Sequence, residues 1–156
     1  MLEATILDLI ARGIPEAFLF VLSAYTFSKI AIDKGPYVIS SILYAVIIFI
    51  VRNLPINYGV HTVIGVITLI VLNISVNKFE LIKAIKVSIF TFILEFICEG
   101  VDILIIIYVF GLDMNNAFRD NITKLLYSSP SLIIFAMFVF SYYFILLKRK
   151  ELRVHK

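Results

Sequence analysis

The chain has 156 residues, of which 62% are hydrophobic and 16% are charged, and its formal net charge is +3. Soluble domains are usually about half apolar and about a quarter charged, so this composition is typical of a protein that has lipid as its solvent. The length allows one domain, and the spanning segments leave no room in it for a soluble catalytic domain. The modest positive charge indicates basic loops at one membrane face rather than a nucleic-acid-binding surface.

Hydrophobic segments of membrane length predict an all-α fold. We expect an integral membrane bundle of five transmembrane helices, forming a single membrane domain over residues 1–156. The predicted spans cover about residues 14–32, 37–51, 58–76, 87–110 and 131–147. Residues 33–36 predict a turn, and Asn77 with Glu80 predicts a capping pair ahead of the fourth helix.

The longest loop lies between the fourth and fifth predicted spans. Its apolar residues recur on one helical face, which predicts a short interfacial helix over about residues 114–127. Ser128 and Ser129, followed by Pro130, then predict a cap and a first-turn proline for the last span.

Lysine and arginine are distributed unequally between the two ends of the predicted spans. One end carries ten of them and the other carries four. The ten are Lys29, Lys34, Lys78, Lys83, Lys86, Lys148, Arg149, Lys150, Arg153 and Lys156, and the four are Arg12, Arg52, Arg119 and Lys124. Because basic loops of membrane proteins face the cytoplasm, we expect the N-terminus outside and the C-terminus inside.

The fourth span contains three carboxylates in a run that is otherwise apolar. Glu95, Glu99 and Asp102 follow a spacing of i, i+4 and i+7, which places them on one narrow face of a helix. The 14 Val, Ile, Leu and Phe residues between positions 87 and 107 favour insertion by about 4–8 kcal/mol, whereas three ionised acids oppose it by roughly 7–10 kcal/mol. These contributions nearly cancel, so we expect the acids to be protonated, paired, or turned toward water and other helices.

Further polar residues are expected at the same depth as these acids. They flank the outer ends of the first three spans: Arg12, Glu16, Arg52, Tyr58 and His61. With Glu95, Glu99 and Asp102 they form a predicted polar cluster in the outer half of the membrane. Three interpretations remain open: structural ion pairs within the cluster, a site that binds a peptide or small cationic ligand from outside, and a path for ions or protons.

The chain shows no pattern of a catalytic or metal site. Cys98, the only cysteine, is distant in sequence from His61, and its apolar neighbours include no cation that would activate the thiol. A second intramembrane histidine and a metal-ligand spacing are both missing. We therefore expect no enzymatic activity, no cofactor and no metal.

Two stretches open the first and third spans. They read Arg12-Gly13-Ile14-Pro15-Glu16 and Leu54-Pro55-Ile56-Asn57-Tyr58-Gly59-Val60-His61-Thr62. These stretches resemble the membrane input regions of AgrC-like, quorum-sensing-type histidine kinases of low-GC Gram-positive bacteria. The resemblance implies a protein of the bacterial cytoplasmic membrane that receives an extracellular signal, often a peptide. The chain has no phospho-accepting helix and no ATP-binding domain, so we expect no autokinase activity.

These observations predict a non-enzymatic, integral membrane sensory or accessory module that acts through a partner protein. One alternative is a small transporter or channel component that uses the intramembrane acids for cation or proton passage, although no repeat or pair of broken helices supports it. Another alternative is a structural membrane scaffold. The expected partners are the lipid bilayer, a second copy of the chain or a separate signalling or transport protein, and an extracellular peptide or small ligand. No nucleic-acid partner is expected.

Overall fold

A computed structural model describes residues 9–54, 58–108 and 121–152 of the chain. Most of them lie in five α-helices: α1 (Ile14–Ser28), α2 (Lys34–Arg52), α3 (Tyr58–Ser75), α4 (Leu81–Tyr108) and α5 (Asn121–Lys148). A π-helical turn, Leu9–Gly13, leads directly into α1. These ranges contain no β-strand, so the predicted all-α class is confirmed for the described part of the chain.

The first helix forms the centre of the bundle. Nearly all of residues 16–26 are buried, as expected for a helix whose sequence is mostly apolar all round. The helices α2, α3, α4 and α5 pack around α1 in chain order, each against the next. The ring of Phe20 shows this arrangement, because it packs against Tyr44 of α2, Phe92 of α4 and Phe135 of α5 at centroid distances of 5.6, 5.1 and 5.7 Å.

The helices alternate in direction and therefore define two ends of the bundle. Lys29 Nζ lies 2.6 Å from Glu151 Oε2, which brings the ends of α1 and α5 together. Arg52 Nη2 lies 2.8 Å from Glu16 Oε1, which brings the end of α2 beside the start of α1. We call residues 29–34, 76–86 and 148–152 the basic end, and residues 9–16, 52–54 and 58–61 the cluster end.

Two helices are long and apolar enough to cross a membrane: α2, and the Pro130–Lys148 part of α5. The helix α1 and residues 59–75 of α3 are apolar but shorter. The helix α4 has 28 residues, more than the roughly 20 that a span needs, but it also contains the three acids. The described structure therefore supports membrane association through two helices, which is fewer than the five spans expected from the sequence.

The first two helices differ at their boundaries from the predicted spans. The helix α1 ends at Ser28, before the predicted boundary at residue 32. The helix α2 begins at Lys34, inside the predicted turn, because the Asp33 carboxylate accepts a hydrogen bond from the Gly35 N–H at 3.4 Å and caps the helix. Pro36 fits the first turn, since N–H groups there have no helical partner.

The last helix also begins earlier than expected. It starts at Asn121, so residues 121–127 belong to α5 rather than to a separate interfacial helix, while residues 114–120 of that prediction lie outside the described ranges. Pro130 lies inside the helix and does not start it. Apolar helices tolerate an internal proline when neighbouring groups satisfy the backbone, and here the adjacent N–H of Ser131 donates to Asp102 of α4.

Asn77 has a different role from the predicted cap. Its Oδ1 accepts hydrogen bonds from the hydroxyls of Tyr25 (3.0 Å) and Ser40 (3.2 Å), and its Nδ2 donates to Asn73 Oδ1 (3.0 Å). Asn73 donates in turn to Ser88 of α4 at 3.2 Å. The capping prediction was therefore wrong, because Asn77 is buried and joins four helices near the basic end.

Three lysines adopt left-handed backbone conformations at the basic end. Lys29, Lys78 and Lys150 have φ angles of 56°, 58° and 54°, and they lie one, three and two residues after the ends of α1, α3 and α5. Glycine is the usual residue at such positions, and another residue costs roughly 1–2 kcal/mol.

The hydrogen bond from Lys29 lowers the pKa of the Glu151 carboxyl and raises the pKa of the Lys29 ammonium.

We predict that Asn77→Ala lowers the free energy of unfolding by about 1–3 kcal/mol, because it leaves the buried Tyr25 hydroxyl without its acceptor. A double-mutant cycle with Tyr25→Phe, followed by circular dichroism in mixed micelles, should give a coupling energy of about 1 kcal/mol. Asn53→Ala is the matched control, since the Asn53 side chain is exposed and bonds the Phe49 carbonyl of its own helix. Additive effects at positions 25 and 77 would contradict the network.

Candidate functional site

A chain of ion pairs begins at Glu16, in the first turn of α1. Glu16 Oε1 accepts a hydrogen bond from Arg52 Nη2 at 2.8 Å, and Glu16 Oε2 lies 3.5 Å from Arg12 Nε. Arg12 Nη2 donates to Glu99 Oε1 at 3.3 Å. The series Arg52–Glu16–Arg12–Glu99 therefore connects α2, α1, the π-helical turn and α4.

The π-helical turn positions Arg12 within this series. Pro15 follows the turn and has no N–H, so the α-helical hydrogen-bond pattern cannot continue regularly into the residues before it. A π-helical turn holds more residues than an α-helical turn, and such turns occur frequently at functional sites. Here the turn sets Arg12 between Glu16 of α1 and Glu99 of α4.

The three acids of α4 differ in their surroundings. Glu95 and Asp102 are buried in the bundle with exposed fractions of 5% and 4%, whereas the Glu99 side chain lies at its edge and is 43% exposed. Asp102 accepts the hydrogen bond from the Ser131 N–H, and Glu99 pairs with Arg12. The face predicted from the i, i+4, i+7 spacing therefore turns two of its acids inward and one toward the cation of the π-helical turn.

Glu95 is the acid that these contacts do not satisfy. Neither of its carboxylate oxygens has a hydrogen-bond partner among the described residues. It lies near enough to Glu16, Glu99 and both arginines to interact with them electrostatically, so it is a neighbour of the ion-pair series. A buried carboxylate without a hydrogen bond is unfavourable, and its position beside this series calls for a functional explanation.

The polar cluster contains more carboxylates than arginines. Four acids, Glu16, Glu95, Glu99 and Asp102, surround two arginines, Arg12 and Arg52. The Arg12 guanidinium already bridges two carboxylates, Glu16 and Glu99, so the site has the geometry and the excess of acids to accept a further cationic group. Within the described ranges, no group of three or more His, Cys, Asp or Glu side chains is placed to hold a metal ion.

The remaining predicted cluster residues lie at the start of α3. Tyr58 begins that helix and its side chain lies outside the described part of the structure, while His61 is half-buried one turn later. Both belong to the cluster end, which they share with Arg52.

Tyr44 is a cluster residue that the sequence analysis missed. It is buried and interacts electrostatically with Glu16, Glu95 and Arg52. It precedes Arg52 by about two helical turns, so both lie on one face of α2. That spacing was the available signal, but a tyrosine in an apolar segment is equally typical of packing.

We predict opposite effects for one chemical change at two buried acids. Glu16→Gln should lower the free energy of unfolding by about 2–4 kcal/mol, because it removes the charge that two arginines share; this range allows for the partial exposure of Arg52. Glu95→Gln should leave stability unchanged or raise it by up to about 2 kcal/mol, because a neutral amide costs less to bury without a partner than a carboxylate does. Unfolding in detergent micelles, followed by circular dichroism, measures both. Equal destabilisation by the two variants would show that Glu95 also holds the bundle together.

Comparison with known proteins finds no protein-family model, no curated protein and no solved structure that matches the chain. The feature of the described structure that bears most directly on function is the buried Glu95, which accepts no hydrogen bond and lies beside a series of ion pairs that joins three helices and the π-helical turn.

Proposed function

We propose that the chain is a non-enzymatic sensory or accessory module of the bacterial cytoplasmic membrane, with five transmembrane helices. The surface of the bundle supports this proposal. Many large apolar side chains are more than half exposed, among them Ile67, Phe96 and Met137. Soluble proteins rarely expose such extensive apolar surface, whereas a lipid environment favours it.

The lengths of the helices are compatible with five spans. The helices α2, α4 and α5 have 19, 28 and 28 residues, and α3 has 18. The π-helical turn extends α1 to residues 9–28, which approaches the roughly 20 residues that a span needs. Burial of Glu95 and Asp102 inside the bundle keeps these two acids away from lipid.

The distribution of charge supports an outer N-terminus and a cytoplasmic C-terminus. Ten of the 14 lysines and arginines fall, in sequence, at the end that we assign to the cytoplasm. In this orientation the cluster end faces the outside of the cell. A ligand from outside would then reach the polar cluster without crossing the membrane.

We assign the polar cluster as the receiving site, and Glu95 carries this assignment. The cluster already holds two guanidinium groups of its own, and Glu95 remains buried without a hydrogen bond. An incoming cationic group would bind Glu95 and compete with Arg12 and Arg52 for the shared carboxylates. Because Glu16 and Glu99 lie on different helices, such competition would change the packing of α1 against α2 and α4.

The resemblance to AgrC-like sensors supports the same function. One of the two stretches that carry the resemblance, residues 12–16, contains both Arg12 and Glu16 of the ion-pair series. In those sensors the membrane region receives an extracellular signal and passes it to a kinase. We propose that this chain passes its response to a separate signalling protein or to a second copy of itself.

A cationic probe tests the receiving site. In lipid nanodiscs, L-argininamide at a concentration well above its dissociation constant should raise the melting temperature of the wild-type chain by about 4 °C or more. L-citrullinamide, which has a neutral urea group in place of guanidinium, should have a much smaller effect. The Glu95→Gln variant should fold and lose the response, because the carboxylate that binds the probe is gone.

Glu80→Gln is the matched control for this experiment. Glu80 is exposed and lies at the basic end, so its loss should leave the response to argininamide intact. An undiminished response in Glu95→Gln would contradict the assignment of the receiving site. No response in the wild-type chain would contradict a cationic ligand.

The alternative function is passage of a cation or proton through the bundle. The position of Glu95 favours it, because this acid lies about 21 Å along a helix of about 42 Å. Proteoliposomes that contain a pH-sensitive dye distinguish the two functions under an imposed proton gradient. We expect no flux above that of empty liposomes, and a flux that Glu95→Gln abolishes would favour transport instead.

A further inference from the structure

The basic end combines backbone strain with positive charge. Among the described residues, the only residues other than glycine with positive φ are Lys29, Lys78 and Lys150. A glycine would adopt these conformations without strain. Strained backbone clusters at functional sites, and the property that these three residues share is an ammonium group on an exposed side chain.

The three lysines gather around the end of α1. Glu151, the neighbour of Lys150, binds Lys29 Nζ at 2.6 Å. The residues on either side of Lys78 both contact the last turn of α1: Tyr25 donates to Asn77 Oδ1 at 3.0 Å, and its ring packs against Phe79 at 5.1 Å. The ends of α1, α3 and α5, which these lysines follow, therefore lie beside one another.

Acidic side chains at the basic end do not balance this charge. Eight basic residues lie there within the described ranges: Lys29, Lys34, Lys78, Lys83, Lys86, Lys148, Arg149 and Lys150. Three acids accompany them: Asp33, Glu80 and Glu151. The C-terminal ends of helices carry partial negative charge and attract lysines. This attraction does not explain the left-handed positions, because it would act equally on a lysine one residue earlier with an ordinary helical backbone.

We infer that the basic end binds the phosphate groups of anionic lipid headgroups, and that Lys29, Lys78 and Lys150 form the binding set. Because these lysines follow neighbouring helix ends and their side chains are exposed, they face the same headgroup layer, where a lipid phosphate would compete with Glu151 for Lys29. Lys34, Lys83 and Lys86 lie in the first turns of α2 and α4 and contribute to the general attraction of an anionic surface. This inference rests on the proposed insertion into the membrane, and it is independent of the ligand at Glu95.

The test compares the full chain in nanodiscs of phosphatidylcholine alone with nanodiscs that contain about one third phosphatidylglycerol. Anionic lipid should raise the melting temperature of the wild-type chain by about 5 °C or more. The variant K29N/K78N/K150N should lose most of this increase, since asparagine tolerates a left-handed backbone but has no charge. The variant K34Q/K83Q/K86Q removes the same charge from the same end and should retain more than half of it.

The remaining arms identify the source of the phosphate and separate this inference from the proposed function. Inorganic phosphate at matched ionic strength, added to phosphatidylcholine nanodiscs, should not raise the melting temperature of the wild-type chain. A rise as large as that from phosphatidylglycerol would show that the site binds a soluble anion and would overturn the lipid site. Equal losses in the two triple variants, or no lipid effect in the wild-type chain, would also overturn it. The Glu95→Gln variant should keep the whole lipid effect even though it loses the argininamide effect.

Discussion

The burial of α1 on nearly all sides is the constraint on which the rest of the bundle depends. A helix without a solvent face can carry polar groups only if the surrounding helices supply partners for them. Glu16, at the start of α1, receives Arg52 from α2 and Arg12 from the preceding turn. Tyr25, in its last turns, receives Asn77. The order in which α2, α3, α4 and α5 surround α1 follows from packing and from these polar requirements together.

Hydrophobic segment length predicts the all-α class of the described residues and the approximate place of their five α-helices, but neither the π-helical turn nor the early start of α5. The i, i+4, i+7 spacing of the three acids, which matches the period of an α-helix, also identified the acidic face of α4. This spacing could not predict which of its acids pairs and which does not, because that depends on the rotation of α4 relative to the π-helical turn. Nor could local signals anticipate that Asn77 turns inward or that Pro130 lies within α5, since partners distant in sequence, such as Tyr25 and Asp102, decide both.

The two polar networks of the bundle differ in their degree of satisfaction. Near the basic end, each side-chain hydrogen bond of Asn77 connects it to another buried polar side chain, and the network is fully neutral. In the polar cluster, Arg12 is shared between Glu16 and Glu99, and Glu95 beside them accepts no hydrogen bond from the described residues. Neutral, satisfied networks stabilise a single packing, whereas shared ion pairs can be redistributed by a competing charge. The helix α1 carries a residue of each network, so it connects the adaptable end of the molecule to the fixed one.

The π-helical turn makes the chain ahead of α1 sensitive to its length as well as to its chemistry. A residue added to or removed from a helix rotates everything before it by about 100° around the helix axis. Deletion of Gly13 would therefore swing the guanidinium of Arg12 away from Glu99 while every acid and base of the cluster stayed in the chain. The number of residues in this one turn thus determines whether the ion pair between Arg12 and Glu99 can link α1 to α4, even when all the side chains of the cluster are present.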